Sequence, residues 1–363
     1  MATRRLPSEV FQRRLATQWV TGGEARDPAA VVSWLGALQS QDYLAGLWAI
    51  GLRAKAVREE DVEASIRDRK IVRTWPMRGT LHFVAADDAR WMTELLAPRR
   101  VTSAKGRLHG LGIDRAVLAR ARRTFVRHLE GGRVLTRPAA FQALERGGVS
   151  TSGQRGIHIL WCLAQECFLC FGPREGKQHT VVLFQEWLPR APRLPRDEAL
   201  GEIAFRYFRG HGPATVRDLA RWAGLSLTDA RHAVTLAGRR IASEDLAGET
   251  HWFTGAGAGA GVGVGAVAHA LPAFDELLVG YADRSAALSL EAEKKVVTGG
   301  LFRPFVLQGG RVVATWSRRF ERDEVVCTME ALEPLPRTAR IAAQRGFERY
   351  AAFVGKRLRP FSG

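Results

Sequence analysis

The stretch from Gly212 to Phe253, GPATVRDLARWAGLSLTDARHAVTLAGRRIASEDLAGETHWF, decides the fold class. Thr215 and Asp218 stand three residues apart at the head of TVRDLARWA, the spacing of a capping box, and Gly224 ends that helix. Ser226 and Asp229 repeat the signal at the head of SLTDARHAVTLAG. RRIASE and THWF then read as strands joined by a turn over Asp245 to Gly248. Two short helices followed by a β-hairpin outline a winged helix.

The same order recurs twice upstream. Over residues 133–185, Thr136 and Pro138 open a helix through Glu145, Gly147 and Gly148 break it, and Ser152 begins another that ends near Glu166. CFLCFG and TVVLF flank a turn at Pro173 to Lys177 and make the wing. The earliest copy is longer. Asp27 and Pro28 open a helix over AAVVSWLGALQ, a helix follows near 44–52, EEDVEASIRDR makes another, and IVRTW with TLHFV makes the hairpin. Beyond the third copy the pattern changes to short strands, ELLVGY, KVVTG, PFVLQ, RVVATWS and EVVCTMEAL, which suggest a small barrel or curled sheet closed by a final helix. The expected fold class is α+β, with three tandem winged-helix domains over 1–100, 101–190 and 191–254. A glycine-rich link, a β-barrel-like domain and the last helix occupy 255–363.

Charge narrows the partner. The 363 residues hold 54 Lys+Arg against 37 Asp+Glu, a net charge of +17. Arginine outnumbers lysine 47 to 7, a mark of a GC-rich coding sequence that does not account for the surplus itself. Residues 99–155 carry thirteen basic and three acidic side chains, a surplus of ten in that stretch. Arg99, Arg100, Lys105, Arg107, Arg120, Arg122, Arg123 and Arg127 are the candidate phosphate contacts, with a solvated helix face as the alternative.

No amphipathic anchor or lipidation motif accompanies that charge, so a membrane surface is not the expected partner. The longest uncharged run, Thr250 to Phe274, alternates glycines at 255, 257, 259, 261, 263 and 265 with Ala and Val, and that backbone freedom opposes a spanning helix. The Arg-rich start lacks an apolar signal core and reads as a first amphipathic helix. A cytoplasmic, nucleoid-associated location is expected.

Cys162, Cys167 and Cys170 have the spacing of a plant-type iron–sulfur loop, with Cys327 as a distant fourth. Their setting, LWCLAQECFLCF, is apolar and reads as helix into strand, so core thiols are expected and neither a metal nor another cofactor is assigned. Walker, HExxH, GxSxG and dinucleotide patterns are missing in suitable contexts. What remains is the pair Gln39 and Gln41 in ALQSQDYLAGLW. A carboxamide both donates and accepts hydrogen bonds yet takes no proton near neutral pH. Such a pair suits hydrolysis of an already activated bond, with a helix-capping role as its alternative.

With these motifs in order, ALQSQDY, VRTWPMRGTLHFV, GPATVRDLARWAGL, LPAFDELLVGYADRS and LFRPFVLQGGRVVATW, the chain resembles the AlkZ-type bacterial DNA glycosylases over essentially its whole length. That family is built of tandem winged helices and releases bulky alkylated purines, including crosslinks formed by natural products. The resemblance implies that Gln39 and Gln41 line a catalytic cleft. Ser40 stands where the family has a small or aliphatic residue, and the chain falls in the Gln-x-Gln branch. It further suggests Asp275, Asp283 and Arg284 as a wall of the cleft, an internal ion pair being the competing role. Trp75, Arg78 and His82 fall in the first wing, where DNA contact competes with packing.

The expected activity is that of a monofunctional DNA glycosylase, acting as a monomer on double-stranded DNA that carries bulky or crosslinked N7- or N3-alkylated purines. Self-resistance to a genotoxic natural product is a fitting setting. The rival is a non-enzymatic winged-helix regulator, which needs dimer symmetry and a base-reading helix; three unequal copies in one chain suit an enclosing monomer better.

Overall fold

A computed structural model describes residues 6–21, 23, 25–255 and 267–359. The glycine repeat expected as a link lies, beyond Gly255, outside the described residues. The chain forms two compact units, one of residues 1–62 with 200–363 and the other of residues 63–199.

In the first unit the helix Val216–Ala223 begins with the expected capping box. The Asp218 N–H donates to the Thr215 hydroxyl at 3.2 Å, and the Thr215 N–H donates to the Asp218 carboxylate at 2.9 Å. Two of the helix's orphan donors are thereby satisfied. Gly224, at φ 72°, takes the left-handed conformation that closes the helix. Ser226 caps the next helix, Leu227–Ala237. Strands Ala242–Leu246 and Glu249–Phe253 pair antiparallel from Leu246 opposite Glu249, and the turn residues Ala247 and Gly248 both have positive φ, as a two-residue hairpin requires. Leu219, Trp222, Ala230 and Ala233 are fully buried, as are Ile203, Tyr207 and Phe208 on the preceding helix, Arg196–His211. Truncating an aromatic ring as buried as Trp222 costs about 3–5 kcal/mol.

The C-terminal part of this unit is a curled five-stranded sheet. Its order is Arg357–Leu358, Glu324–Ala331, Arg311–Glu321, Phe305–Gln308 and Ala268–Leu271, antiparallel except for the first pair. A register shift between Val306 and Leu307 bends it. The helix Arg337–Phe353 packs onto the edge strand. At Gly346 a Cβ would lie 3.1 Å from the Ala270 nitrogen, so any larger residue would push the helix and strand backbones slightly apart. Two buried indoles hold adjacent carbonyls, Trp48 donating to Ala270 O and Trp316 to Leu271 O, each at 2.7 Å.

Two expected strands are corrected. ELLVGY is a short helix, Glu276–Val279, because the Asp275 carboxylate accepts the Leu277 N–H at 2.9 Å and caps it. KVVTG is split: Lys295 and Val296 end the helix Leu290–Val296, opened by Ser289, and only Val297–Thr298 forms a strand.

The second unit carries the helices Ala86–Gly110, Arg115–Leu129, Arg137–Arg146 and Arg155–Gln165. Its strands run Thr80–Ala85, Ile71–Met77, Leu169–Phe171, Thr180–Leu183, Leu135–Thr136 across one antiparallel sheet. The hairpins expected as the first and second wings are thus neighbours, joined at Arg73 opposite Phe171. Phe125, Leu144, Ile159, Leu160, Leu163 and Phe171 form the core beneath them. Among the described residues no helix is long and apolar enough to cross a membrane.

Candidate active site

The glutamine pair sits on a sharply bounded piece of backbone. The helix expected to run through AAVVSWLGALQ is instead Pro28–Leu35, because Gly36 turns out of it at φ 79°. The strand Ala37–Gln39 follows, and the helix Tyr43–Gly51 starts once the Asp42 carboxylate accepts the Ala45 N–H at 3.0 Å. Asp27 and Asp42 supply the N-terminal side-chain caps of the two flanking helices. Gln39 is 8% exposed, Ser40 is fully buried and Gln41 is exposed. Arg318, itself mostly buried, holds Asp42 from the sheet side at 3.7 Å.

Behind the strand lies the segment from Asp275 to Ala282. Glu276, 1% exposed, accepts the Gln39 N–H on Oε1 at 3.3 Å. Its Oε2 accepts the Trp222 indole N–H at 2.9 Å and lies 3.3 Å from His211 Nε2. Asp275 grips the Arg53 guanidinium with both oxygens at 2.8 Å, both side chains being fully buried. Gln18 completes the arrangement, accepting from Arg53 at 3.0 Å and donating to the Tyr281 hydroxyl at 3.1 Å.

The far end of the segment is equally fixed. Tyr281 donates to the His211 carbonyl and Tyr207 to the Gly280 carbonyl, each at 2.8 Å, while the Ala282 N–H donates to Asp218 at 2.7 Å. The Arg14 guanidinium lies 3.8 Å from the centre of the Tyr281 ring. Burial pushes the Tyr207 and Tyr281 hydroxyls well above the usual phenol range. They serve as donors, not as proton carriers near neutral pH. The hydrogen bonds of this buried network are nearly complete, Arg14 Nη2 facing Asp218 at 3.6 Å without one, and a network of this kind is rigid.

The remaining candidates from the sequence fall in several places. Asp275 takes the internal ion pair just described. Asp283 is exposed and accepts the Ser285 N–H at 2.8 Å. Arg284 donates to Leu278 O and to Glu293, both at 2.8 Å. Trp75 is buried in the core of the second unit, its ring 5.0 Å from that of Phe171. His82 is fully buried; its Nδ1 donates to Thr80 O at 2.9 Å, which leaves Nε2 to accept from Arg78 at 2.9 Å. Arg78, at φ 55°, and Gly79 make the tight turn of that hairpin.

Arg99, Arg100, Lys105 and Arg107 are exposed on the helix Ala86–Gly110, and Arg120, Arg123 and Arg127 on the helix Arg115–Leu129. Arg107 donates to Gln154 at 2.5 Å and Arg120 to Gly148 O at 3.2 Å. Arg122 differs: it pairs with Glu166 and lies 4.6 Å from the centre of the Phe168 ring.

All four cysteines are buried and reduced. Burial pushes Cys162 and Cys167 up to about 11 and Cys327 to about 12. Among the described residues there is no group of three or more His, Cys, Asp or Glu able to hold a metal ion.

Gln18, Arg53, His211 and Glu276 were not among the candidates. Two of them leave a trace in the sequence, a lone arginine in the apolar LWAIGLRA and a second acid beside Asp275 in LPAFDELLVG.

A family model described as DNA glycosylase AlkZ-like matches residues 32–353. A relative from Streptomyces sahachiroi, an interstrand DNA cross-link repair glycosylase, is 25% identical over 377 residues, covering 96% of this chain and 95% of the relative. The solved structure of Streptomyces sahachiroi DNA glycosylase AlkZ shares the fold, with a TM-score of 0.79 at 24% identity over 97% of this chain and 98% of that one. With the family model spanning most of its length, the chain belongs to the AlkZ-like DNA glycosylase family.

Proposed function

We propose that this protein is a monofunctional DNA glycosylase that hydrolyses the N-glycosidic bond of bulky or crosslinked N7- or N3-alkylated purines, with Gln39 and Gln41 as its catalytic side chains. The observation that carries the reading is the placement of this carboxamide pair: it lies between a strand end and a capped helix, with the Gln39 backbone held by a buried carboxylate. Family membership supports the reaction class, and the S. sahachiroi relative, described as an interstrand cross-link repair glycosylase, supports the crosslink substrate.

The chemistry suits amides. Alkylation at N7 or N3 puts a positive charge on the purine, so the C1′–N9 electron pair leaves with the base, which becomes neutral without being protonated. The sugar left behind has oxocarbenium character, and a water oxygen forms the new bond to C1′. Two carbonyl oxygens at fixed spacing orient that water and stabilise the developing cation, and the water's proton passes to solvent. No lysine Schiff base, metal or cofactor enters the scheme. A crosslinked base cannot be enclosed in a deep pocket, so an open cleft is part of the proposal.

The domain reading is part of the same proposal: three tandem winged helices, 1–100, 101–190 and 191–254, ahead of the region 255–363. The basic helices supply phosphate contacts, and the protein works as a monomer in the cytoplasm, on the nucleoid. Asp283 and Arg284 are kept as residues near substrate rather than catalytic groups, Arg78 as a DNA contact of the first hairpin, and the buried Trp75 and His82 as packing residues. A non-enzymatic regulator gains no support from a family of glycosylases.

The direct experiment is incubation with duplex DNA containing N7-methylguanine. Free base and abasic sites should appear in equal amounts, with strand breaks only after heat or alkali. DNA binding with no base released would favour the regulator, and strand cleavage by the protein itself would overturn the monofunctional assignment.

A further inference from the structure

A buried carboxylate, Glu276, holds the backbone at the start of the Gln39–Gln41 segment. We propose that Glu276 is a positioning residue for Gln39, acting with Trp222 and His211; the inference rests on the catalytic role proposed above for Gln39. Glu276 is 1% exposed, and a carboxylate taken out of water is costly unless donors surround it. Oε1 accepts the Gln39 backbone N–H at 3.3 Å, and Oε2 accepts the Trp222 N–H at 2.9 Å.

His211 supplies the third contact. Its Nδ1 faces the Tyr207 carbonyl at 3.2 Å, which can only accept, so that nitrogen carries hydrogen. Its Nε2 lies 3.3 Å from Glu276 Oε2, and the contact is attractive only with one proton between the two. The imidazole has no room to swing away. It stacks on the Tyr207 ring at 4.7 Å and 13°, and at Gly280 a Cβ would come within 2.8 Å of its Cδ2.

Glu276 therefore ties the end of the strand Ala37–Gln39 to two different helices, Arg196–His211 and Val216–Ala223. Its own backbone is held as well, by the Asp275 cap and by Gln18, which donates to its carbonyl at 3.4 Å. A shift of about 1 Å in a reacting geometry is enough to cost ~100-fold in rate, so a clamp on the Gln39 backbone has a kinetic consequence without touching substrate.

The test uses the full chain in excess over N7-methylguanine duplex, reading three quantities separately: the single-turnover rate constant, its amplitude, and affinity for undamaged duplex. In Glu276→Gln one oxygen becomes an NH2 that must face either the Gln39 or the Trp222 N–H. Its rate constant is expected to fall ~10–100-fold, while amplitude and affinity stay within about twofold. Trp222→Phe removes the donor while keeping an aromatic ring in the core, and is expected to slow the reaction ~3–10-fold with amplitude reporting any loss of folded protein. Gln39→Ala/Glu276→Gln should be no slower than Gln39→Ala alone, because the second change acts through the side chain already removed.

Wild-type rate constants in Glu276→Gln and Trp222→Phe, with Gln39→Ala slow, would overturn the positioning role and leave the catalytic assignment standing. So would a fall confined to amplitude, the sign of unfolded protein, or strict additivity in the double variant. A fully active Gln39→Ala would instead sink the catalytic assignment itself, and the positioning role with it.

Discussion

Arg53 and Asp275 form a two-pronged ion pair with both side chains fully buried, and no N–H of the guanidinium is left without an acceptor. Asp275 takes two, the Gln18 carbonyl and side chain take two more, and the Ala49 carbonyl takes the last. A charge this deep is tolerable only because every donor is matched. Asp275→Asn should therefore destabilise the chain by about 3–5 kcal/mol in urea unfolding, since it leaves Arg53 charged and under-paired. The double change Arg53→Met with Asp275→Leu should lose less than Asp275→Asn alone. An Asp275→Asn variant as stable as the parent would remove the ion pair from any structural role.

Acid should weaken the fold before its carboxylates titrate. His269 is pushed down to about 4, by burial first and then by Arg349; His179 is pushed down to about 4 by burial and by Arg73, Arg174 and Arg137. Both are neutral in the folded chain, whereas the unfolded chain takes the proton near the ordinary value of about 6.5. The unfolded state thus binds more protons between those limits, so stability is intact above pH ~6.5 and is lost as pH falls towards 4. Urea midpoints at pH 7.5 and 5.0 should show the drop, and His269→Gln with His179→Gln should shrink it. A midpoint unchanged between the two pH values would contradict the assignment.

Not every arginine of the basic stretch should matter for DNA. Arg123 and Arg127 are exposed, while Arg122 pairs with Glu166 and packs on Phe168. Replacing Arg123 and Arg127 by glutamine should flatten the slope of log K against log salt by ~0.9 for each phosphate that the variant no longer neutralises. Arg122→Gln should leave the slope nearly unchanged and lower thermal stability instead. Equal slopes in both variants and the parent would make the whole face solvated surface.

The sequence made the local signals legible and hid the long-range ones. Thr215, Asp218, Gly224 and Ser226 announce their helices because capping is a matter of three or four adjacent residues. ELLVGY misled because a short apolar run reads equally as strand or buried helix, and the Asp275 cap that decides it looked like part of a loop. In LGALQ the helical pattern continued past Gly36, which turns out to be the stop. The carboxamide pair was visible as a motif. Its support was not: Arg53 meets Asp275 across 222 residues of chain, and Gln39 meets Glu276 across 237. Nothing in local spacing foretells such partners.

The central claim is that Gln39 and Gln41 carry the reaction, and base release by the Gln39→Ala/Gln41→Ala variant tests it most directly. Each single alanine should slow release of an N7-alkylguanine by ~10–1,000-fold, by loss of water orientation and of cation stabilisation. Affinity for undamaged duplex should hardly move, since neither side chain is charged. Gln41→Glu should retain more activity than Gln41→Ala, because a carboxylate can accept the water's proton. The measurement is free base released under single-turnover conditions by the folded double variant. Release at or below the singles' rate, with affinity intact, is the predicted result; release at the parent's rate would contradict it.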